Sequence, residues 1–229
     1  MSVHKGIHTS RPGIWPLLLP LGIATALCLF LYAVRVFQVG NLQLWFINWN
    51  LLLAWLPLVF AALLVRQLSL SRWLSWQCLT LTALWLFFLP NSFYVVSDFV
   101  HLGKYRGASL LFDSVLLMSY ALTGLALGWF AVYAVHIQLA KRLRRPQTWL
   151  LLSLTFLLCS FAIYLGRNLG WNSWDIIGDP WGIMMDIVQR ITYPARFTDT
   201  YSVTALFFVF ISGTYAAFYT TVKALKYKT

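Results

Sequence analysis

The stretch Leu116-Leu117-Met118-Ser119-Tyr120-Ala121-Leu122-Thr123-Gly124-Leu125-Ala126-Leu127-Gly128-Trp129-Phe130-Ala131-Val132-Tyr133-Ala134-Val135 carries no charge and is apolar nearly throughout. A helix needs about 20 such residues to cross the roughly 30 Å hydrocarbon core of a bilayer. A strand of a membrane barrel would be about 10 residues of alternating apolar and polar character. Neither this run nor Leu150 to Phe161 alternates. Both therefore read as helical spans, and a barrel is excluded.

Working outward, the rest of the chain repeats the pattern. Spans are expected at Ile14 to Arg35, Leu44 to Val65, Trp73 to Leu89, Ser109 to His136, Thr148 to Gly166 and Val203 to Val222. Hydrophobic residues make up 60% of the 229 and charged ones 10%, with a mean hydropathy of +0.73. No water-soluble core of this size hides so much apolar surface. The expected fold class is an all-α integral membrane protein, a bundle of about six transmembrane helices with short interfacial helices on the non-cytoplasmic side. Residues 1–229 are read as one polytopic membrane domain. The first span follows Lys5 and Arg11 but has no small-residue cleavage box, so it reads as a retained anchor. Cys28, Cys78 and Cys159 all fall inside spans without C-x-x-C spacing, which reads as buried reduced thiols.

Lys and Arg, assigned to alternate sides, divide unequally. One side holds Lys5, Arg11, Arg66, Arg72, Lys141, Arg142, Arg144, Arg145, Lys223, Lys226 and Lys228; the other holds Arg35, Lys104, Arg106, Arg167, Arg190 and Arg196. The positive-inside rule then puts both termini in the cytoplasm. It also absorbs the net charge of +11, which in a soluble protein would suggest nucleic acid; none is expected as a partner. The acidic set points the other way. There is no Glu, and Asp98, Asp113, Asp175, Asp179, Asp186 and Asp199 all lie in the non-cytoplasmic half.

Two segments concentrate that outer chemistry. Following Leu89, Pro90 should break or kink the third span, and Asn91 suits the cap of a new helical turn, giving an interfacial segment at 91–102. If that segment is helical, Asn91, Tyr94, Asp98 and His101 form one polar stripe. The Asp98 carboxylate can then hold an imidazole N–H of His101, as in a general base or a metal ligand. A metal would need a third ligand from Asp113, Asp175 or Asp179, and no cofactor is specified. Asp113, near the outer end of the fourth span, is expected to face the bundle interior beside Arg167 or His101.

The second segment leaves the fifth span as Gly166-Arg167-Asn168-Leu169-Gly170-Trp171-Asn172-Ser173-Trp174-Asp175. Trp171 and Trp174 suit a membrane interface. Arg167 either pairs with Asp98, Asp113 or Asp175, or with Asn168 and Asn172 captures an anion in its fork. Asn91, Tyr94 and Asp98 recur in spacing as Asn168, Trp171 and Asp175, too short a match to establish a duplication. Further on, 179–193 reads as an amphipathic interfacial helix: Ile183, Ile187 and Ile191 repeat every four residues, Asp186 and Arg190 form an i, i+4 pair, and Tyr193-Pro194 ends it.

Leu89-Pro90-Asn91, Tyr94, Asp98 and His101-Leu102, together with Tyr164-Leu165-Gly166-Arg167 and Trp171-Asn172-Ser173-Trp174-Asp175, resemble the signature blocks of a bacterial multi-pass membrane family, domain of unknown function 1361. The resemblance covers most of the chain from the second span onward. Two positions depart from it. Phe93 stands where the family usually has a second proline, and Gly170 where it has a basic residue. The resemblance implies a bacterial or cyanobacterial membrane, here the inner membrane, and brings no established activity.

Three functional classes remain. An outer-face site would bind or process a lipid-like or anionic substrate, with Asp98, His101 and Asp113 as catalytic candidates. Asn91, Tyr94, Arg167, Asn168, Trp171, Asn172, Trp174 and Asp175 would contact the substrate. Alternatively, the polar face docks a membrane-protein partner as a scaffold or assembly factor. A transporter or channel is disfavoured by the scarcity of ionisable groups at mid-membrane depth.

Overall fold

The apolar runs fold as helices, and in the computed structural model, which describes residues 15–104 and 107–226, no strand occurs among the described residues. The elements in order are α1 (Trp15–Val39), α2 (Phe46–Gln67), α3 (Trp76–Tyr94), a 3₁₀ segment (Val95–His101), α4 (Leu110–Ala140), α5 (Arg145–Leu169), α6 (Asp175–Gly178), α7 (Pro180–Thr192), a 3₁₀ turn (Pro194–Arg196) and α8 (Thr198–Lys226). Six of these helices are long and apolar enough to cross a membrane. The protein is thus an all-α, multi-pass membrane protein with short helices at one face. Ile14, Lys5, Arg11, Arg106 and Lys228, used in reading the spans and the charge balance, lie outside the described residues.

Side-chain pairings fix which helix ends lie together. Arg35 near the end of α1 meets Asp113 at the start of α4. Asn50 at the start of α2 and Arg167 at the end of α5 both meet Asp98 beyond α3. At the opposite ends, Arg142 after α4 lies over Trp73 between α2 and α3, and Lys226 of α8 donates to Tyr133 of α4. The long helices therefore alternate in direction. All three ion pairs among the described residues sit at the acidic end.

The core forms where α2, α3 and α4 pack. In the most apolar 18 residues of each helix, 61% of α4 is buried but only 11% of α8, so α4 is central, whereas α8 packs chiefly on α5 and turns its remaining surface outward. Small residues make α4 approachable. A Cβ at Gly124 would lie 2.8 Å from the Ser92 carbonyl oxygen, and one at Gly128 would lie 2.8 Å from the Phe93 ring. Two glycines four residues apart thus let the end of α3 rest on α4, where Ser92 Oγ also donates to the Ala54 carbonyl at 2.9 Å. Phe93 is fully buried in this contact.

Two local expectations need correction. Helix α3 runs through Pro90 to Tyr94, because neighbouring helices hold the backbone around the missing N–H. Asn91 caps no new helix, and its Nδ2 donates back to the Phe88 carbonyl at 3.1 Å. Only at Val95 does the chain tighten into 3₁₀ geometry.

Helix α7 is real, with Asp179 Oδ1 accepting from the Gly182 amide at 2.8 Å as its cap, but its faces are not those of the isoleucine repeat. Ile191 is 68% exposed. The inward face combines Ile183 and Ile187 with Asp186 and buried Arg190, while Trp181, Met184, Met185, Val188 and Ile191 face away. Such an outward apolar face suits hydrocarbon rather than water. The polar pair turns inward because it has partners there.

Candidate functional site

Arg167 organises the acidic end. It lies one turn before Gly170, whose φ of +79° ends α5 in the left-handed conformation that glycine adopts without strain. That turn holds the guanidinium against the 3₁₀ segment, where residues three apart lie nearly above one another. Its Nη2 meets Asp98 Oδ1 at 2.5 Å and Ser97 Oγ at 2.7 Å, and its Nε meets Ser97 Oγ at 2.9 Å. Its Nη1 lies 3.0 Å from His101 Nε2. Because guanidinium only donates, His101 Nε2 is the acceptor and the imidazole in this contact is neutral. The guanidinium carbon sits 4.5 Å from the Tyr94 ring centroid. One arginine thus spans Tyr94, Ser97, Asp98 and His101, replacing the direct Asp98 to His101 contact expected from spacing.

Asp98 is 1% exposed, and its second oxygen accepts from Asn50 Nδ2 at 2.9 Å. The His101 ring packs 4.7 Å from that of Phe46. Asp113 is not part of this group. It receives Arg35 Nε at 2.8 Å, correcting its expected place beside Arg167 or His101. Helix α1 continues past Arg35 to Val39, and Arg35, expected at the span end, is fully buried.

Beside this group lies a cavity of about 290 Å³ between α2, α3, α5 and the segment carrying Trp171 to Ile183. Its polar wall is Asn50, Asn91, Asn172 and Ser173; its aromatic wall is Trp49, Tyr94, Trp171 and Trp174. Leu53, Leu86, Leu158 and Leu165 supply its aliphatic side. Five residues expected to contact a substrate, Asn91, Tyr94, Trp171, Asn172 and Trp174, therefore share one cavity. Arg167 stands behind Tyr94 outside the lining, as do exposed Asn168 and half-buried Asp175. Asp175 instead accepts from the Asn172 amide at 2.6 Å, so it shapes the loop. The similarly spaced Asp98 and Asp175 thus do different work.

The amides of this wall share a feature. Asn50 spends its NH₂ on Asp98, Asn91 on the Phe88 carbonyl, and Asn172 on the Gly170 carbonyl and Asp175. Each partner is an acceptor, which fixes the amide orientation. All three Oδ1 atoms are left without a donor from the described residues.

The segment over the cavity is pinned. Trp171 Nε1 donates to Asp186 Oδ2 at 2.7 Å, and Arg190 Nη1 meets Asp186 Oδ1 at 2.7 Å. Arg190 Nε reaches the Tyr164 hydroxyl at 3.2 Å. Burial works against the Arg190 charge, but the hydrogen bonds to Tyr164 and Asp186 outweigh it and hold the guanidinium above its ordinary range. Trp171 is thus a tether for α7 as well as an interfacial ring.

Asn50, Ser97 and Trp49 were not anticipated. Asparagines in an apolar span are costly without partners, and that signal points to Asn50 and equally to Asn48, whose Oδ1 accepts from the Tyr120 hydroxyl at 2.5 Å. No comparable signal marks Ser97. Among the described residues no three His, Cys, Asp or Glu side chains group to hold a metal ion. Asp113, Asp175 and Asp179 each have another role.

Fold and cleft together define a polytopic α-helical membrane protein with a pre-formed cavity at its acidic end. Residues 49–224 match the family described as Protein of unknown function (DUF1361), and the chain belongs to that family. No curated protein and no solved structure matches the chain.

Proposed function

We propose that this protein binds an amphiphilic, lipid-like molecule at the outer membrane interface, taking an uncharged, hydroxyl-bearing head into the cavity beside Tyr94. The observation that carries this reading is the set of three amide oxygens, on Asn50, Asn91 and Asn172, that meet no donor among the described residues around one cavity. Acceptors without donors call for hydroxyl groups. Tryptophan rings offer faces for the apolar side of such a head, and the leucines offer a path for a chain. An anionic head fits less well, because each Arg167 nitrogen is already engaged and Asp98 would have to be displaced.

Binding fits better than catalysis. His101 Nε2 already accepts from Arg167, and both Asp98 oxygens are occupied. Asp113 serves Arg35. The three residues read from sequence as catalytic thus support the cavity or the helix ends. A hydroxylated lipid should co-purify when the protein is extracted in a sugar-free detergent, detected by native mass spectrometry. Asn91→Leu with Asn172→Ala removes two acceptors at about 1 kcal/mol each, so retention should fall about tenfold or more. Adducts in bulk-membrane proportions, or adducts indifferent to both substitutions, would overturn the reading.

The basic helix ends fit the cytoplasmic side and the cavity the outer side of a bacterial inner membrane. A reporter active only in the cytoplasm should work when fused at either terminus. Silence at both would reverse the orientation.

A further inference from the structure

The basic end of the bundle holds a second cavity, of about 310 Å³, between α4 and α8. Lys141, Lys223 and Lys226 line it with Tyr133, His136 and Tyr219. We infer that this cavity is a binding site for a phosphate group at the membrane surface, separate from the amphiphile site.

Orientation of the chain requires basic residues at this end, but Arg66, Arg72, Arg142, Arg144 and Arg145 supply them without lining the cavity. The lysines differ in converging from two helices more than 80 positions apart in sequence. None of the six Asp lines this cavity, and the chain has no Glu.

The walls are also polar and ordered. Lys226 Nζ donates to the Tyr133 hydroxyl at 2.9 Å. The buried His136 ring stacks on Tyr219 with centroids 4.7 Å apart, and its Nδ1 lies 2.7 Å from the Tyr215 hydroxyl. Lysines from two helices beside the tyrosines of the wall suit a phosphate, and basic pockets between helices at the cytoplasmic surface are where anionic head groups bind. An anionic phospholipid and inorganic phosphate share this chemistry. The inference does not depend on what the outer cavity binds.

The test uses the full chain in nanodiscs containing equal phosphatidylglycerol and phosphatidylcholine, read by native mass spectrometry, beside a thermal-shift assay with inorganic phosphate alone. Phosphatidylglycerol should be retained preferentially. Each lysine near the surface is expected to contribute about fivefold, so Lys141→Gln with Lys226→Gln should lower that preference by an order of magnitude, while Lys226→Arg preserves it. These positions are exposed at helix ends, so the double variant should fold, and its outer-cavity ligand should be retained. A shift with inorganic phosphate that is lost in the double variant identifies a free phosphate as the occupant. Equal retention of both lipids with no phosphate shift, or a preference unchanged in the double variant, would overturn the inference.

Discussion

Replacing Asp113 by leucine should destabilise the folded chain by about 3–5 kcal/mol, the range for removing one member of a buried ion pair. Arg35 is fully buried and Asp113 is 5% exposed. Two of the guanidinium nitrogens meet Asp113, at 2.8 Å and 3.4 Å, and Nη1 has no hydrogen-bond partner among the described residues. Without the carboxylate the charge loses its acceptors in an environment that solvates charge poorly. The pair also joins the end of α1 to the start of α4, so the loss should appear first as loosening of α1. Arg35→Leu added to Asp113→Leu should recover most of the stability, since a buried pair is often replaceable by apolar residues. Unfolding midpoints of the two single variants and the double variant close the cycle. A single variant within about 1 kcal/mol of the parent would show the pair behaving like an exposed one.

Arg167→Gln should cost about as much, roughly 3 kcal/mol or more, for the opposite sign of charge. Asp98 would remain 1% exposed with only Asn50 donating to it. Ser97 and His101 would lose their guanidinium donors, and Tyr94 would lose its cation. Tyr94 lines the outer cavity, so ligand retention should fall along with stability. Arg167→Lys should rescue little, because a single ammonium cannot reproduce the fork that engages Ser97, Asp98 and His101 together. Adding Asp98→Asn to Arg167→Gln should restore stability in part by removing the stranded charge. If Arg167→Gln left both stability and ligand retention unchanged, Arg167 would not be the organising residue.

The spans were legible because a bilayer imposes length and apolarity together, and a run such as Leu116 to Val135 satisfies both without any tertiary partner. Pairings across the bundle were less so. Arg35, the last residue of the expected first span, counts there among the span-end charges, because that boundary falls four residues short of Val39. Its partnership with Asp113, 78 residues away, leaves no trace in local spacing. The rule that has Pro90 break or kink the third span is local, whereas the support from α2 and α4 that carries α3 past it without a break is not. The stripe of Tyr94, Asp98 and His101 was visible, but a direct Asp98 to His101 bond was not what joined it. Helix α7 shows the same limit: isoleucines at 183, 187 and 191 suggested a face, and buried Arg190 with Asp186 decided the orientation.

The direct test of the outer cavity is to fill it. Ala162 lines the cavity and is half-buried, so Ala162→Phe places a ring in space that a ligand would use while leaving Asp98, Arg167 and His101 untouched. Native mass spectrometry of parent and variant, extracted alike and matched for unfolding midpoint, should show a discrete hydroxylated lipid on the parent and none on the variant. The same lipid retained by a folded Ala162→Phe protein would contradict the account, and the cavity would then not be where the ligand binds.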